Sequence, residues 1–149
     1  NESIHDVIFS LHNQMKRAKI DIRVSCPKNL DVYNSPGILD QIITNLLVNS
    51  RIHGFKDGTI PGQINIDVSS KNEILQLDFY DTGKGIDLTN KQQLFEPFFT
   101  TNRSQGSSGL GLYICYNLVT SKLNGEIHCI SEEGKGARFI IRFPVHNKE

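Results

Sequence analysis

No run of apolar residues in this sequence is long enough to cross a bilayer as a helix. The first residues, Asn1-Glu2-Ser3, carry neither the basic region nor the apolar stretch of a secretory leader. The expectation is a soluble, cytoplasmic domain that makes no membrane contact of its own, with any membrane anchoring of the parent protein left open. An excess of charge is also missing, because sixteen Lys and Arg face sixteen Asp and Glu. With no net field to draw it to nucleic acid, the chain must hold any polyanion by local geometry. Cysteine is scarce. Cys26, Cys115 and Cys129 match no zinc-ligand spacing, and three is an odd number for a disulfide framework, so reduced thiols are expected. Repeats and low-complexity segments are absent too, and 149 residues fill one compact domain but not two comfortably.

What is present is a succession of helical and strand patterns. Ser3 and Asp6 resemble a capping box, and Ile4, Val7, Ile8, Leu11 and Met15 follow at helical spacing, which predicts a helix ending near Ala18. Residues 20–26 alternate as a half-buried strand, and 31–33 could add a short partner. Ser35-Pro36 opens a second helix whose stripe is Ile38, Leu39, Ile42, Ile43, Leu46, Leu47 and Ile52. On its other side Asn45, Asn49 and His53 stand four apart, so three polar groups project together. Strands are expected at 63–68 and 74–80 around a Ser-Ser-Lys-Asn turn, and the second runs into Asp81-Thr82-Gly83-Lys84-Gly85. The polar segment 102–108 has no periodicity and reads as a loop. Gly109-Leu110-Gly111 then enters a third long helix stopped by Asn124-Gly125, and strands at 126–131 and 137–144 close the chain. Helices among antiparallel hairpins predict an α+β two-layer sandwich with the sheet covered on one face.

Three features carry candidate chemistry, and each has an ordinary alternative. The amide oxygen of Asn49 is a hard, neutral ligand suited to a Mg²⁺ ion that keeps most of its waters, although a lone mid-helix Asn more often faces solvent. Asp81, at a strand end before Gly83 and Gly85, can accept from adenine's exocyclic amine and repel guanine's oxygen; Asp-x-Gly is equally ordinary turn chemistry. Ser107-Ser108-Gly109-Leu110-Gly111 opens a helix, where free N–H groups and the dipole favour an anion, but one Gly-x-Gly is weak evidence. Arg103, just upstream, could swing onto a triphosphate or simply be a solvated loop arginine.

Together these residues resemble the catalytic domain of sensor histidine kinases. Asn45-Leu46-Leu47-Val48-Asn49 is similar to the N box, Asp81-Thr82-Gly83-Lys84-Gly85-Ile86 to the G1 box, Phe95-Glu96-Pro97-Phe98-Phe99 to the F box, and Gly109-Leu110-Gly111-Leu112 to the G2 box. The resemblance covers almost the whole chain and implies the Bergerat ATP-binding fold shared with gyrase and MutL: a mixed sheet backed by helices, with a mobile lid between the F and G2 boxes. It implies ATP and Mg²⁺ as cofactors, Asn49 as magnesium ligand and Asp81 as adenine reader. Gly83, Gly85 and Ile86 would shape the adenine pocket. Asn45, His53, Thr101, Arg103, Ser108, Gly109, Leu110, Gly111 and Leu112 would complete the nucleotide site, with Arg103 joining Asn49 in catalysis. It further implies transfer of the γ-phosphoryl to a histidine on a separate dimerisation domain, absent here, and on to a response regulator. The isolated domain would be a monomer.

Two other functions compete: an ATP-hydrolysing conformational machine, and a degenerate module that senses nucleotide without transfer. The hydrolysing relatives carry a glutamate one turn before the magnesium-binding Asn, and an amide, Asn45, stands there instead; it cannot take a proton from water at neutral pH. Two positions depart from the kinase pattern. Ile52 stands where Lys or Arg is usual, leaving Arg51 or His53 as the phosphate contact. Gly136-Ala137 replaces a common Gly-Thr, so the threonine hydroxyl's contact is missing or taken over by water. None of the five histidines has a phosphoacceptor's surroundings, His5-Asp6 coming nearest.

Overall fold

The computed structural model describes residues 19–26, 36–55, 59–86, 94–96, 111–132 and 134–145. The expected first helix, the 31–33 strand and the 102–108 loop lie outside these. Among the described residues five strands form one sheet: β1 (Ile20–Ser25), β2 (Gly62–Lys71), β3 (Ile74–Asp81), β4 (Glu126–Ser131) and β5 (Ala137–Pro144), in the spatial order β1-β2-β3-β5-β4. Only β1 runs parallel to its neighbour; the other three pairings are antiparallel, so the sheet is mixed.

The period of two decides which face is covered. Ile64, Ile66 and Val68 of β2, Leu75, Leu77 and Phe79 of β3, Phe139, Ile141 and Phe143 of β5, and Ile127 and Cys129 of β4 are all buried. The register sets them side by side, with Ile66 opposite Phe79 and Phe79 opposite Phe139. Alternate residues, among them Asn65, Asp78, Tyr80, Arg138 and Arg142, point to the other face, where Arg138 pairs with Asp78 and lies over the Tyr80 ring.

Two helical segments join the covered face's core. Helix α1 (Pro36–Asn49) starts on proline, whose missing N–H costs nothing in a first turn, and buries Leu39, Ile42, Ile43, Leu46 and Leu47. Each such side chain contributes about 1.5–3 kcal/mol relative to exposure. Helix α2 (Gly111–Asn117) packs on α1, and its Cys115 Sγ donates to the Ile42 carbonyl at 3.7 Å. Both helices end in a wider turn. Ser50–Gly54 continues α1 with Phe55 N–H donating to Ser50 C=O, and Leu118–Lys122 continues α2 with Leu123 N–H donating to Leu118 C=O. The α2 segment stops where expected, at Asn124 in a left-handed conformation.

One turn differs from the sequence expectation. Ser69, Ser70 and Lys71 belong to β2, paired with Gln76, Leu75 and Ile74, and the chain reverses over Asn72 and Glu73 alone. Both have positive φ, 53° and 63°, the geometry whose twist matches a two-residue hairpin.

Candidate nucleotide-binding site

The site grows from the end of β3. Its last residue, Asp81, points to the covered face and is 2% exposed, so a carboxylate lies between its buried register partners Ile64 and Ala137. Such a group must be hydrogen-bonded, and it is. Oδ1 accepts the backbone N–H of Gly83 at 3.0 Å and of Ala137 at 3.2 Å, while Oδ2 accepts the Ser50 hydroxyl at 2.7 Å. Burial pushes the carboxyl above the usual carboxylate range, and the bonds from Ser50, Gly83 and Ala137 pull it back.

The Ser50 bond fixes the relation between two expected site residues. Asn49 is the last residue of α1, half-buried, and the side chain of the next residue touches Asp81, so the carboxylate is tied to the end of the helix that carries Asn49. The wider turn continues past that end. It carries Gly54 against the loop after β3, where Lys84 N–H donates to the Gly54 carbonyl at 2.8 Å and a Cβ on Gly83 would stand 2.5 Å from that oxygen.

The loop is held from two other sides. Thr82 exchanges bonds with Gln63 of β2, its hydroxyl accepting at 2.9 Å. Ile86 N–H donates to Ser131 Oγ at 2.8 Å, and that hydroxyl donates to Gly136 C=O at 2.6 Å. Gly85 and Gly136 both have φ of +80°, and a Cβ would overlap the Glu132 carbonyl in the first case and the Asp81 carbonyl in the second. Glycine is therefore required by conformation and by space.

The expected residues divide as follows. Asp81 and Gly83 lie against the turn that leaves α1 after Asn49, while Gly85 and Ile86, further along the same loop, lie against Glu132, Ser131 and Gly136. His53 is half-buried on the same wider turn; burial, and then the positive Lys84, hold its imidazole below the ordinary value. Past Asn49 the winding exceeds that of an α-helix, so His53 does not continue the Asn45 and Asn49 stripe at regular spacing. The half-buried Asn45 amide lies beside the Cys115 thiol, which burial pushes up to about 12 against the opposing hydrogen bond from Asn45. Gly111 and Leu112 begin α2, which packs on α1. Thr101, Arg103, Ser108, Gly109 and Leu110 lie outside the described residues.

Sequence reasoning missed Ser50, Gly54 and the N–H of Ala137. A signal existed for Ser50: it falls four after Leu46 on the buried stripe, and a polar side chain in a core position requires a partner. The Ala137 bond has no side-chain signal, since only its backbone takes part.

A family model described as "Histidine kinase-, DNA gyrase B-, and HSP90-like ATPase" matches residues 34–147. The chain belongs to this family. Among curated proteins, the autoinducer 2 sensor kinase/phosphatase LuxQ of Vibrio harveyi is 32% identical over 139 residues, 90% of this chain and 16% of that protein. The sensor histidine kinase RcsC of Escherichia coli is 36% identical over 118 residues, 76% of this chain and 12% of that one. The chain thus spans less than a fifth of the length of these relatives. Among solved structures, the catalytic domain of histidine kinase ThkA superposes with a TM-score of 0.83 at 25% identity, covering 97% of this chain and 91% of that one. These likenesses make the ATPase-family domain described here a histidine kinase catalytic domain, with the mixed sheet and paired helices of that fold.

Proposed function

We propose that this domain binds Mg-ATP and transfers the γ-phosphoryl group to a histidine on a separate dimerisation domain, from which a response regulator takes it. The observation that carries this reading is the Asp81 carboxylate, buried at a strand end and tied to the α1 exit that bears Asn49. The residues fit a nucleotide. With two N–H groups on Oδ1 and one hydroxyl on Oδ2, one acceptor position remains, on Oδ2, for an amine such as adenine's. An oxo group there would meet a lone pair and be rejected.

They also fit a magnesium ion held mainly by substrate and water. Among the described residues no three His, Cys, Asp or Glu side chains gather to hold a metal, whereas Asn49 offers one neutral oxygen. When bound, the ion would neutralise phosphate charge. Asn49 would hold it, and Arg103 with 108–112 would hold the phosphates. Asn45, an amide in a half-buried place beside Cys115, cannot act as base toward water, so hydrolysis does not compete with transfer.

Support for the partners comes from the relatives: ThkA is known in complex with the response regulator protein TrrA. The domain is proposed to be cytoplasmic and monomeric when isolated. Among the described residues no helix is long and apolar enough to cross a membrane. The test is incubation with γ-labelled ATP, Mg²⁺ and a histidine-bearing dimerisation domain of a related kinase. Acid-labile label on that partner is the expected result. Free phosphate released at the same rate with and without the partner would instead mark a hydrolysing machine, and nucleotide binding without label a sensing module.

A further inference from the structure

Among the described residues Asp81 is held by three donors, and only one of them is a side chain. Its two backbone donors, Gly83 and Ala137, both act on Oδ1 and follow from the path of the chain. The third, Ser50 Oγ, acts on Oδ2 at 2.7 Å from a residue that is 1% exposed. Oδ2 is the oxygen with an acceptor position to spare. Gly54 borders it as well: a Cβ there would stand 3.2 Å from Oδ2, tighter than ordinary contact, so the missing side chain leaves the oxygen uncrowded.

From this we infer that Ser50 is a specificity-determining and positioning residue for the purine: its hydroxyl orients Asp81 and leaves Oδ2 one lone pair for an exocyclic amine. The inference rests on the nucleotide-binding reading above and deepens it. Having given its single proton to Asp81, the Ser50 oxygen can itself only accept, so the pair presents acceptors alone. A 6-amino purine finds a partner there, and a 6-oxo purine finds none.

Ser50 also bears on the charge of the group. Burial disfavours the carboxylate, and the Ser50 hydrogen bond is the largest influence opposing it. Around Asp81, α1 carries Asp40, β2 carries Asp67 and Lys71, β3 carries Asp78 and Tyr80, β5 carries Arg138 and Arg142, and the neighbouring turns carry Arg51, His53, Lys84, Glu132 and Lys135; none of these side chains is among the influences on its ionisation, which follows from burial and the three hydrogen bonds. A neutral carboxyl would turn one oxygen into a donor and lose the amine.

The test measures binding of ATP and of inosine triphosphate, its 6-oxo counterpart, to the whole 149-residue chain between pH 5 and 8, for wild type, Ser50→Ala and Ser50→Cys. Ser50→Ala is expected to weaken ATP about tenfold at pH 7, the order of one hydrogen bond to a charged group. It should narrow the preference for ATP over the 6-oxo nucleotide, and move the acid-side loss of ATP binding to higher pH. Ser50→Cys, close in shape and a weak donor, should change in the same directions, and it decides the matter should the alanine variant not fold. An unchanged nucleotide preference and pH profile in a folded variant overturns the role of Ser50, even if overall affinity drops. Wild type that binds neither nucleotide overturns the nucleotide-binding reading itself, a different result.

Discussion

At Asp81, donors among the described residues occupy three of the four lone-pair positions of a carboxylate, and the proposed reading assigns the fourth to the purine amine. Asp81→Asn puts an amide N–H₂ against either two backbone N–H groups or the Ser50 hydroxyl. ATP binding is expected to weaken at least about tenfold in a nucleotide titration, and stability to fall by about 1–3 kcal/mol in denaturant, because a buried donor then loses its acceptor. Asn49→Asp keeps an oxygen ligand and adds charge. ATP affinity without Mg²⁺ should change little beyond repulsion of the phosphates, while the Mg²⁺ dependence of phosphotransfer should shift, which a metal titration of the labelling assay reads directly. Asp81 and Asn49 could be proposed as site residues from the sequence because each stands in a motif of several residues. For Ser50 the stripe signals only that a buried hydroxyl needs a partner, because that partner is a carboxylate 31 positions away that the helical pattern does not mention.

Among the elements, strands were read within a few residues of their ends, since a sheet covered on one face writes its register as strict alternation. The hairpin was misplaced because Ser69, Ser70 and Lys71 have turn-like composition yet lie exposed in a paired strand, where polar residues are ordinary. The wider turn after Asn49 left no mark, since helical spacing looks alike over one turn whether the ladder closes at four residues or five. The β4–β5 turn offers a direct check of the close packing behind Asp81. Gly134 and Gly136 share a left-handed backbone, but a Cβ on Gly134 meets open space and one on Gly136 overlaps the Asp81 carbonyl. Gly134→Ala should therefore cost only the strain of the conformation, about 1–2 kcal/mol, and Gly136→Ala clearly more, as urea unfolding of the two variants would show.

Among the described residues, stability resides in the core between sheet and helices rather than in the ion pairs of the open face. Phe79 is fully buried at its centre, and Phe79→Ala should lower stability by about 3–5 kcal/mol, against less than about 0.5 kcal/mol for Ile130→Ala on the exposed side. His53 gives the molecule an acid limb. Its folded pKa lies below the ordinary 6.5, so the unfolded chain takes up the proton first. The stabilising contribution is complete above pH 6.5 and is lost as pH falls from there toward the folded value. His53→Gln should flatten the pH dependence of the denaturation midpoint in that window. The most direct check on the central claim is a crystal structure with Mg²⁺ and a non-hydrolysable ATP analogue. The expected density places the adenine amine within hydrogen-bond distance of Asp81 Oδ2 and the metal on the Asn49 side-chain oxygen; a nucleotide bound elsewhere, with Asp81 still closed by its three protein donors, would contradict it.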